Sequence, residues 1–384
     1  MFKLGNRRWI LWAILGLIGL GLPSLLGSFW LQLGSLAFAA AIGAIGLMLL
    51  FGRVGQLSLG HPFFLAIGAY SYVWIASPAD GGDSWGLGWP SLAAIPIAVV
   101  VTALAGLLLS PLSSRVRGLS LGLATLSLIF IGIWLFYTLE PLTGGYNGRN
   151  APALTIGPLS SQGSNVAILG LPIGRTEFLW YVTLILLVLV ALFTSSLLNS
   201  RVGRAFAAIR DAEVHASALG VEAARYRAIA FTLSSAYAGL GGALLAIIIQ
   251  RVVPDYWGLS LSLGYLAMVV IGGMRSVVGA VLGAVFVTAL PAVLQRYGES
   301  IPFVGSAGGT GIGPSVVAQV LYGASVIVIL IFEPEGLVRI FARLVPRRFR
   351  RHNDAPPTAI EPVDGEPAVS QLTAGHPSAP LAPE

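Results

Sequence analysis

The sequence predicts an all-α polytopic membrane protein with about ten transmembrane helices, eight at the fewest. Three observations predict it. Only 10% of the 384 residues are charged, whereas 56% are hydrophobic. A soluble domain carries about 25% charge, so this chain has too little polar side chain to cover a surface facing water. Apolar runs of bilayer length recur along most of the chain, and a spanning helix needs roughly 20 such residues. The basic residues fall mainly in short connections between those runs and near the C-terminus, as membrane orientation requires.

The first apolar run covers 9–27 and follows Lys3, Arg7 and Arg8. A basic start and an apolar stretch resemble a secretory leader. This stretch exceeds an h-region and leads straight into another at 31–51, so an uncleaved first span is expected. A third run, 57–77, opens in "GRVGQLSLGHPFFLAIGAY" (52–70), where Gly55, Gly60, Pro62, Gly68 and His61 interrupt the apolar pattern. Non-helical backbone at membrane depth is tolerated only where it faces protein or a water-filled cavity. A discontinuous helix is therefore expected here. Pro62 should remove one backbone bond and free a carbonyl near Ser58. Gln56, Ser58 and His61 are the polar side chains able to answer that carbonyl, or a solute. A structural histidine packed between helices is the other reading of His61.

Further runs lie at 91–110, 119–138, 178–198, 227–249, 259–274, 277–294 and 315–332, of which 259–274 is short for a full crossing. After 119–138 comes "LTGGYNG" (142–148). Gly144, Gly145 and Gly148 suit tight turns, and Asn147 offers donors and acceptors. This is either a loop that meets solute or simply a turn-rich connection.

The longest charged connection, 199–227, reads "NSRVGRAFAAIRDAEVHASALGVEAARYR". The stretch Arg204–Ile209 is compatible with helix. Asp211 is suited to cap a second short helix, and Gly220 to end it in the left-handed conformation. The product is a helical handle with Asp211, Glu213 and His215 near its start, or an ordinary amphipathic interfacial loop. Downstream, Gly272, Gly273, Gly279 and Gly283 are spaced for close helix packing, because lipid supplies no hydrophobic drive between helices. The final segment, 351–384, is rich in Pro and Ala and has no aromatic residue. It cannot bury enough apolar surface to order itself. The expected domains are thus a membrane unit over 1–350 and a disordered tail over 351–384.

With ten crossings the charges sort themselves. One set of connections holds Lys3, Arg7, Arg8, Arg53, Arg115, Arg117, Arg201, Arg204, Arg210, Arg225, Arg227, Arg275 and the run 339–351. The other holds Asp80, Asp83, Glu140, Glu177, Asp255 and Glu299, with Arg149, Arg175, Arg251 and Arg296. The positive-inside rule places the first set, and both termini, in the cytoplasm.

Several function classes are disfavoured. No acid, Arg or Lys lies near the centre of an expected span, which argues against an ion-coupled carrier and against a membrane enzyme using paired carboxylates. His61, His215, His352 and His376 are scattered, and Cys is absent, so no metal cluster is visible. "GGTGIGPS" (308–315) lacks the lysine of a phosphate loop. No cofactor is expected. The net charge of +6 follows membrane topology, and nucleic acid is not an expected partner.

Five stretches together resemble the ABC-transporter permeases of the branched-chain amino acid (LivM-type) family. They are "GQLSLGHPFFLAIGAY", "LTGGYNG", "SRVGRAFAAIRDAEVHASALGVEAARYRAIAFTLSSAYAGLGGALLA", "YLAMVVIGGMRSVVGAVLGA" (265–284) and "FEPEGL" (332–337), in the family's order. Pro62, Arg275 and Ala280 depart from the family's usual residues. The resemblance implies a subunit without catalysis of its own, in the inner membrane. Separate ATP-binding subunits would dock on the 199–227 loop through Arg201, Gly203, Arg204, Arg210, Asp211, Glu213 and Gly220. It also implies a second, related permease, an extracytoplasmic binding protein, and surrounding lipid. The translocation path would run past Gln56, Ser58, Gly60 and His61 and past Gly144, Gly145, Asn147 and Gly148. Branched-chain or other small neutral amino acids are the implied cargo. Urea or short amides are the alternative, and an ion-coupled secondary transporter a more distant one.

Overall fold

The computed structural model describes residues 19, 21–79, 86–116, 118–156, 159–161, 166–168, 171–297, 320–321, 323–324, 326–328, 331 and 336–339. Most of the expected spans 9–27 and 315–332, and the whole tail 351–384, lie outside these residues.

Nine principal helices are described: α1 (Ser28–Leu47), α2 (His61–Ala76), α3 (Ser91–Arg115), α4 (Leu119–Thr138), α5 (Arg175–Asn199), α6 (Arg201–Ala218), α7 (Ala223–Ile249), α8 (Leu259–Gly272) and α9 (Val277–Tyr297). Six described helices are long and apolar enough to cross a membrane: α1 with its continuation to Val54, α3, α4, α5, α7 and α9. The helices α2 and α8 are shorter, at 16 and 14 residues. The molecule is an all-α multi-pass membrane protein.

α1 and α7 form the centre. Their most apolar windows are 83% and 72% buried, against 28–39% for α3, α4, α5 and α9. α7 packs on α1, α2 and α3, while α9 packs on α1 and α8. Small residues make the centre dense. A Cβ on Gly46 of α1 would stand 2.9 Å from the Ser234 carbonyl of α7, and one on Gly242 of α7 only 1.9 Å from the Leu65 carbonyl of α2. The outer helices show Leu, Phe, Ile and Trp side chains to the outside, Leu108 at 79% and Trp134 at 65% exposure. Such faces suit lipid or a neighbouring chain.

The two sets of connections that charge separates in the sequence make contacts within each set. At one end, Arg53 donates to the Arg275 carbonyl, Arg210 to the Gly52 carbonyl, and Gly336 lies against Gly273. At the other, Arg149–Asn150 pairs antiparallel with Arg251–Val252, and Tyr137 donates to Asp255. Two other small antiparallel pairs, Thr155–Ile156 with Leu159–Ser160 and Val166–Ile168 with Leu171–Ile173, lie between α4 and α5. The 27 residues of α7 lead from one end to the other, about 40 Å at 1.5 Å per residue.

Candidate functional site

The break in the third apolar run is present but built differently from the expectation. α1 does not stop at Leu47. It widens into a π-helix over Met48–Val54 and ends at Gly55, whose φ of 79° is left-handed. Residues 55–60 then run without helix to His61. Pro62 therefore lies in the first turn of α2, where its missing N–H interrupts no helical bond. It starts a helix; it does not kink one. Ser58 precedes the helix, so no helical carbonyl near it is freed by Pro62.

The non-helical stretch is held by side chains from distant helices. The Leu59 N–H donates to Thr125 Oγ1 at 2.9 Å, and the Leu59 carbonyl accepts from Ser262 Oγ. The Gln56 amide N–H donates to the Leu50 carbonyl at 3.1 Å. Backbone groups away from water need such partners, which explains why hydroxyls face this segment. Gln56 itself is engaged at both ends: Nε2 donates to the Ser113 carbonyl, and Oε1 accepts from Ser113 Oγ. Its role is to clamp the stretch to α3. Ser58 is buried beside it. Gly60 brings the stretch within 2.8 Å, measured from an added Cβ, of the Thr125 carbonyl.

His61 is 3% exposed and bonds the Gly43 backbone of α1. Its Nε2 has no hydrogen-bond partner among the described residues, and neither has the buried hydroxyl of Tyr265. The two rings lie 5.0 Å apart. The break therefore carries two packed rings, each with an unanswered polar atom, where three helices meet.

The 199–227 connection is the helix α6, capped by Ser200, whose Oγ accepts from Val202 N–H. Its backbone breaks at Ala212 (φ −158°, ψ 79°), one residue beyond the expected capping Asp211. The second segment ends as the sequence suggested. Gly220 adopts φ 82°, its N–H donates to Ser217 and that of Val221 to Ala216, which is a Schellman closure. α7 then starts at Ala223, four residues before the apolar run.

The loop's charged residues divide into two groups. Arg210 donates through Nη1 to the Gly52 carbonyl at 2.6 Å, and its aliphatic stem lies against Gly55. Burial and the nearby Arg275 lower its pKa. Glu213 pairs with Arg227 of α7 at 2.5 Å. Both side chains face the protein's own body. Gly203 is buried against the Leu198 carbonyl, a packing position. Arg201, Arg204, Asp211 and Gly220 are exposed. So are Val214 at 81% and Leu219 at 85%, two apolar knobs on the tip. Composition alone gave no reason to single them out, because exposure depends on how α6 folds back.

At the opposite end, Gly144, Gly145 and Gly148 all have positive φ. They shape a cleft of about 410 Å³ lined by Glu140, Asn147, Arg149, Asn150 and Arg251. Arg149 is nearly buried, and desolvation lowers its pKa. It donates to the Leu142 carbonyl at 3.0 Å, while Arg251 donates to that of Asn147 at 2.6 Å. The glycines of α8 and α9 lie at the crossing of those two helices, whose connecting turn meets Gly52 and Arg53. A Cβ on Gly272 would come 2.0 Å from the Gly279 carbonyl, and one on Gly283 1.8 Å from that of Met268. Gly273, at φ 119°, turns the chain between the two helices.

No cluster of metal-ligating side chains occurs among the described residues. The fold and these sites define a multi-pass membrane protein with a jointed helix, a helical handle at its Arg-rich end and a polar cleft at the other.

Comparison with known proteins narrows the class. The family "Branched-chain amino acid transport system / permease component" matches residues 29–330. The chain is 29% identical over 346 residues to the high-affinity branched-chain amino acid transport system permease protein LivM of Salmonella typhimurium, covering 87% of this chain and 75% of that protein. It is 30% identical over 331 residues to LivM of Escherichia coli, covering 82% and 71%. With the Escherichia coli permease LivH it shares 27% over 263 residues, covering 67% and 82%. No solved structure matches the chain significantly. The chain belongs to the branched-chain amino acid transport permease family, and it is not an enzyme.

Proposed function

We propose that this chain is the membrane-spanning permease subunit of an ATP-driven importer for branched-chain amino acids. The observation that carries the reading is the family match across 29–330, joined by relatives named for that transport. That the relatives include both LivM and LivH supports pairing with a second permease of the same family. The Arg-rich end, with both chain termini, faces the cytoplasm of a cell whose inner membrane holds the complex.

In this reading the tip of α6, with Asp211, Val214, Leu219 and Gly220, seats in a cytoplasmic ATPase. Arg210 and Glu213 do not contact that partner; they tie the handle to the permease. Movement of the handle pulls on Gly52 through Arg210, and so on the π-helical segment and the stretch 55–60 behind it. π-bulges recur at functional positions because their backbone can change register at low cost. The path opens where His61 and Tyr265 meet, and alternating access follows from two arrangements of this joint. The cleft beside Gly144 and Gly148 faces the binding protein that delivers cargo.

The test is reconstitution. The chain is placed in proteoliposomes with its ATPases, its companion permease and the binding protein, and labelled leucine uptake is followed. Uptake should require ATP, persist when the proton gradient is collapsed, and be inhibited by isoleucine and valine but not by urea. Uptake that survives without ATP and fails with the gradient would overturn the reading.

A further inference from the structure

The cleft at the end of α4 holds opposite charges that do not touch each other. Glu140 opens the one-turn helix Glu140–Thr143, and its carboxylate makes no hydrogen bond or ion pair among the described residues. Arg251 lines the same cleft, and among the described residues its guanidinium donates to a backbone carbonyl, not to an acid. Two charges able to pair, yet standing apart across an open cleft, leave room for a ligand bearing the complementary charges. Asn147 and Asn150 add amide groups to the wall.

The wall is rigid. A Cβ on Gly144 would meet the Gly148 carbonyl at 2.2 Å, and one on Gly148 would meet the Val252 carbonyl at 2.2 Å. The loop is thereby folded onto itself and onto the Arg149–Asn150 and Arg251–Val252 ladder, which carries Arg251. The floor is held by buried Arg149. No lining residue has an apolar side chain, so the cleft has nothing with which to grip an aliphatic group.

We propose that this cleft binds the zwitterionic head of a free amino acid, its ammonium on Glu140 and its carboxylate on Arg251, without reading the side chain. The site is a vestibule that accepts the group common to all amino acids. Discrimination by side chain occurs elsewhere along the transport route. This inference rests on the amino-acid cargo reading above.

The experiment uses the full chain in lipid nanodiscs, with saturation-transfer NMR titrations of leucine, alanine, leucinamide and 4-methylpentanoate. Leucine and alanine should bind within about twofold of each other, as expected where no apolar wall is present. Leucinamide lacks the carboxylate and 4-methylpentanoate lacks the ammonium, so each should bind at least roughly tenfold more weakly. Glu140→Gln should weaken leucine and leucinamide but spare 4-methylpentanoate. Arg251→Gln should weaken leucine and 4-methylpentanoate but spare leucinamide. Glu140→Asp and Arg251→Lys should retain most of the binding, which separates loss of charge from loss of fold. Equal binding of leucine and 4-methylpentanoate, no leucine binding, or leucine binding unchanged in both neutral variants overturns the proposal. ATP-driven leucine uptake by the reconstituted importer tells the two failures apart. If uptake is intact while the cleft binds nothing, the vestibule falls alone. If the importer moves urea and not leucine, the cargo reading falls with it.

Discussion

Arg210 shows what residue type alone leaves out. Lying in the most charged internal connection, it reads as a docking contact; folded, it reaches inward to the Gly52 carbonyl. A hydrogen bond from a charged donor contributes about 1.5–3 kcal/mol. Arg210→Ala should therefore leave ATPase association intact and weaken the link to the joint by roughly ten- to a hundredfold. Co-purification of the ATPase should be normal, while ATP hydrolysis no longer responds to cargo. Gly52 makes a second residue-scale prediction. An added Cβ would stand 1.6 Å from the Met274 carbonyl, so Gly52→Ala forces the π-segment and the α8–α9 turn apart. Overpacking of this kind costs about 1–3 kcal/mol, readable as a lower midpoint of thermal unfolding in detergent. Gln56, Ser58 and His61 were legible as polar residues in an apolar run. Ser113, which bonds Gln56, Thr125 and Ser262, which bond the Leu59 backbone, and Tyr265, packed on His61, were not, because those lie 57 to more than 200 positions away and look like ordinary helix residues.

Elements were easier to read than contacts. Lengths of apolar runs gave α3, α4, α5, α7 and α9 to within a few residues, since hydrophobicity is set locally. The error at 57–77 has a specific cause. A non-helical stretch packed among helices is as apolar as a helix, so hydropathy cannot tell 57–60 from α2. The π-helix at Met48–Val54 was equally hidden, because its composition is that of an ordinary apolar helix and its close contact, with the turn at Met274, lies far away in sequence. In α6, the glycine closure at Gly220 was legible, but the break at Ala212 was not. Alanine favours a helix, and the ion pair of Glu213 with Arg227, formed just beyond the break, joins residues 14 positions apart in sequence. The tip it creates predicts docking through apolar contact. Burying a leucine or valine side chain contributes about 1.5–3 kcal/mol. Val214→Asp with Leu219→Asp should therefore reduce ATPase binding in a pull-down by at least about tenfold, without removing the protein from the membrane.

At the scale of the molecule, charge placement did most of the work. The loops it grouped bond within their groups, Arg53 with Arg275 at one end and Arg251 with Asn147 at the other. Membrane proteins keep charge out of lipid, so its placement records topology even where packing is unreadable. That grouping predicts sidedness. A protease or impermeant reagent supplied from the cytoplasmic face should reach the α6 tip, and from the other face Tyr146, which is 82% exposed. Labelling of both from one face would refute the orientation. What charge could not reveal was which helices form the centre, since α1 and α7 are no more apolar than their neighbours. They are central because their glycines and alanines admit close backbones.

The bonds at Leu59 carry a consequence for how the chain is made. Its N–H waits for Thr125, 66 residues later, and its carbonyl for Ser262, 203 residues later. While ribosomes are still producing α5 to α7, the Leu59 carbonyl lacks its final partner and must stay near water or the insertion machinery. Biogenesis is therefore not strictly sequential: an early segment is sealed by a late one. The chain has no cysteine, so Ser58→Cys supplies a lone reporter. A nascent chain halted at residue 250 should be alkylated at that thiol, and the finished protein should be protected. Equal protection in both would mean that the segment is sealed before α8 exists.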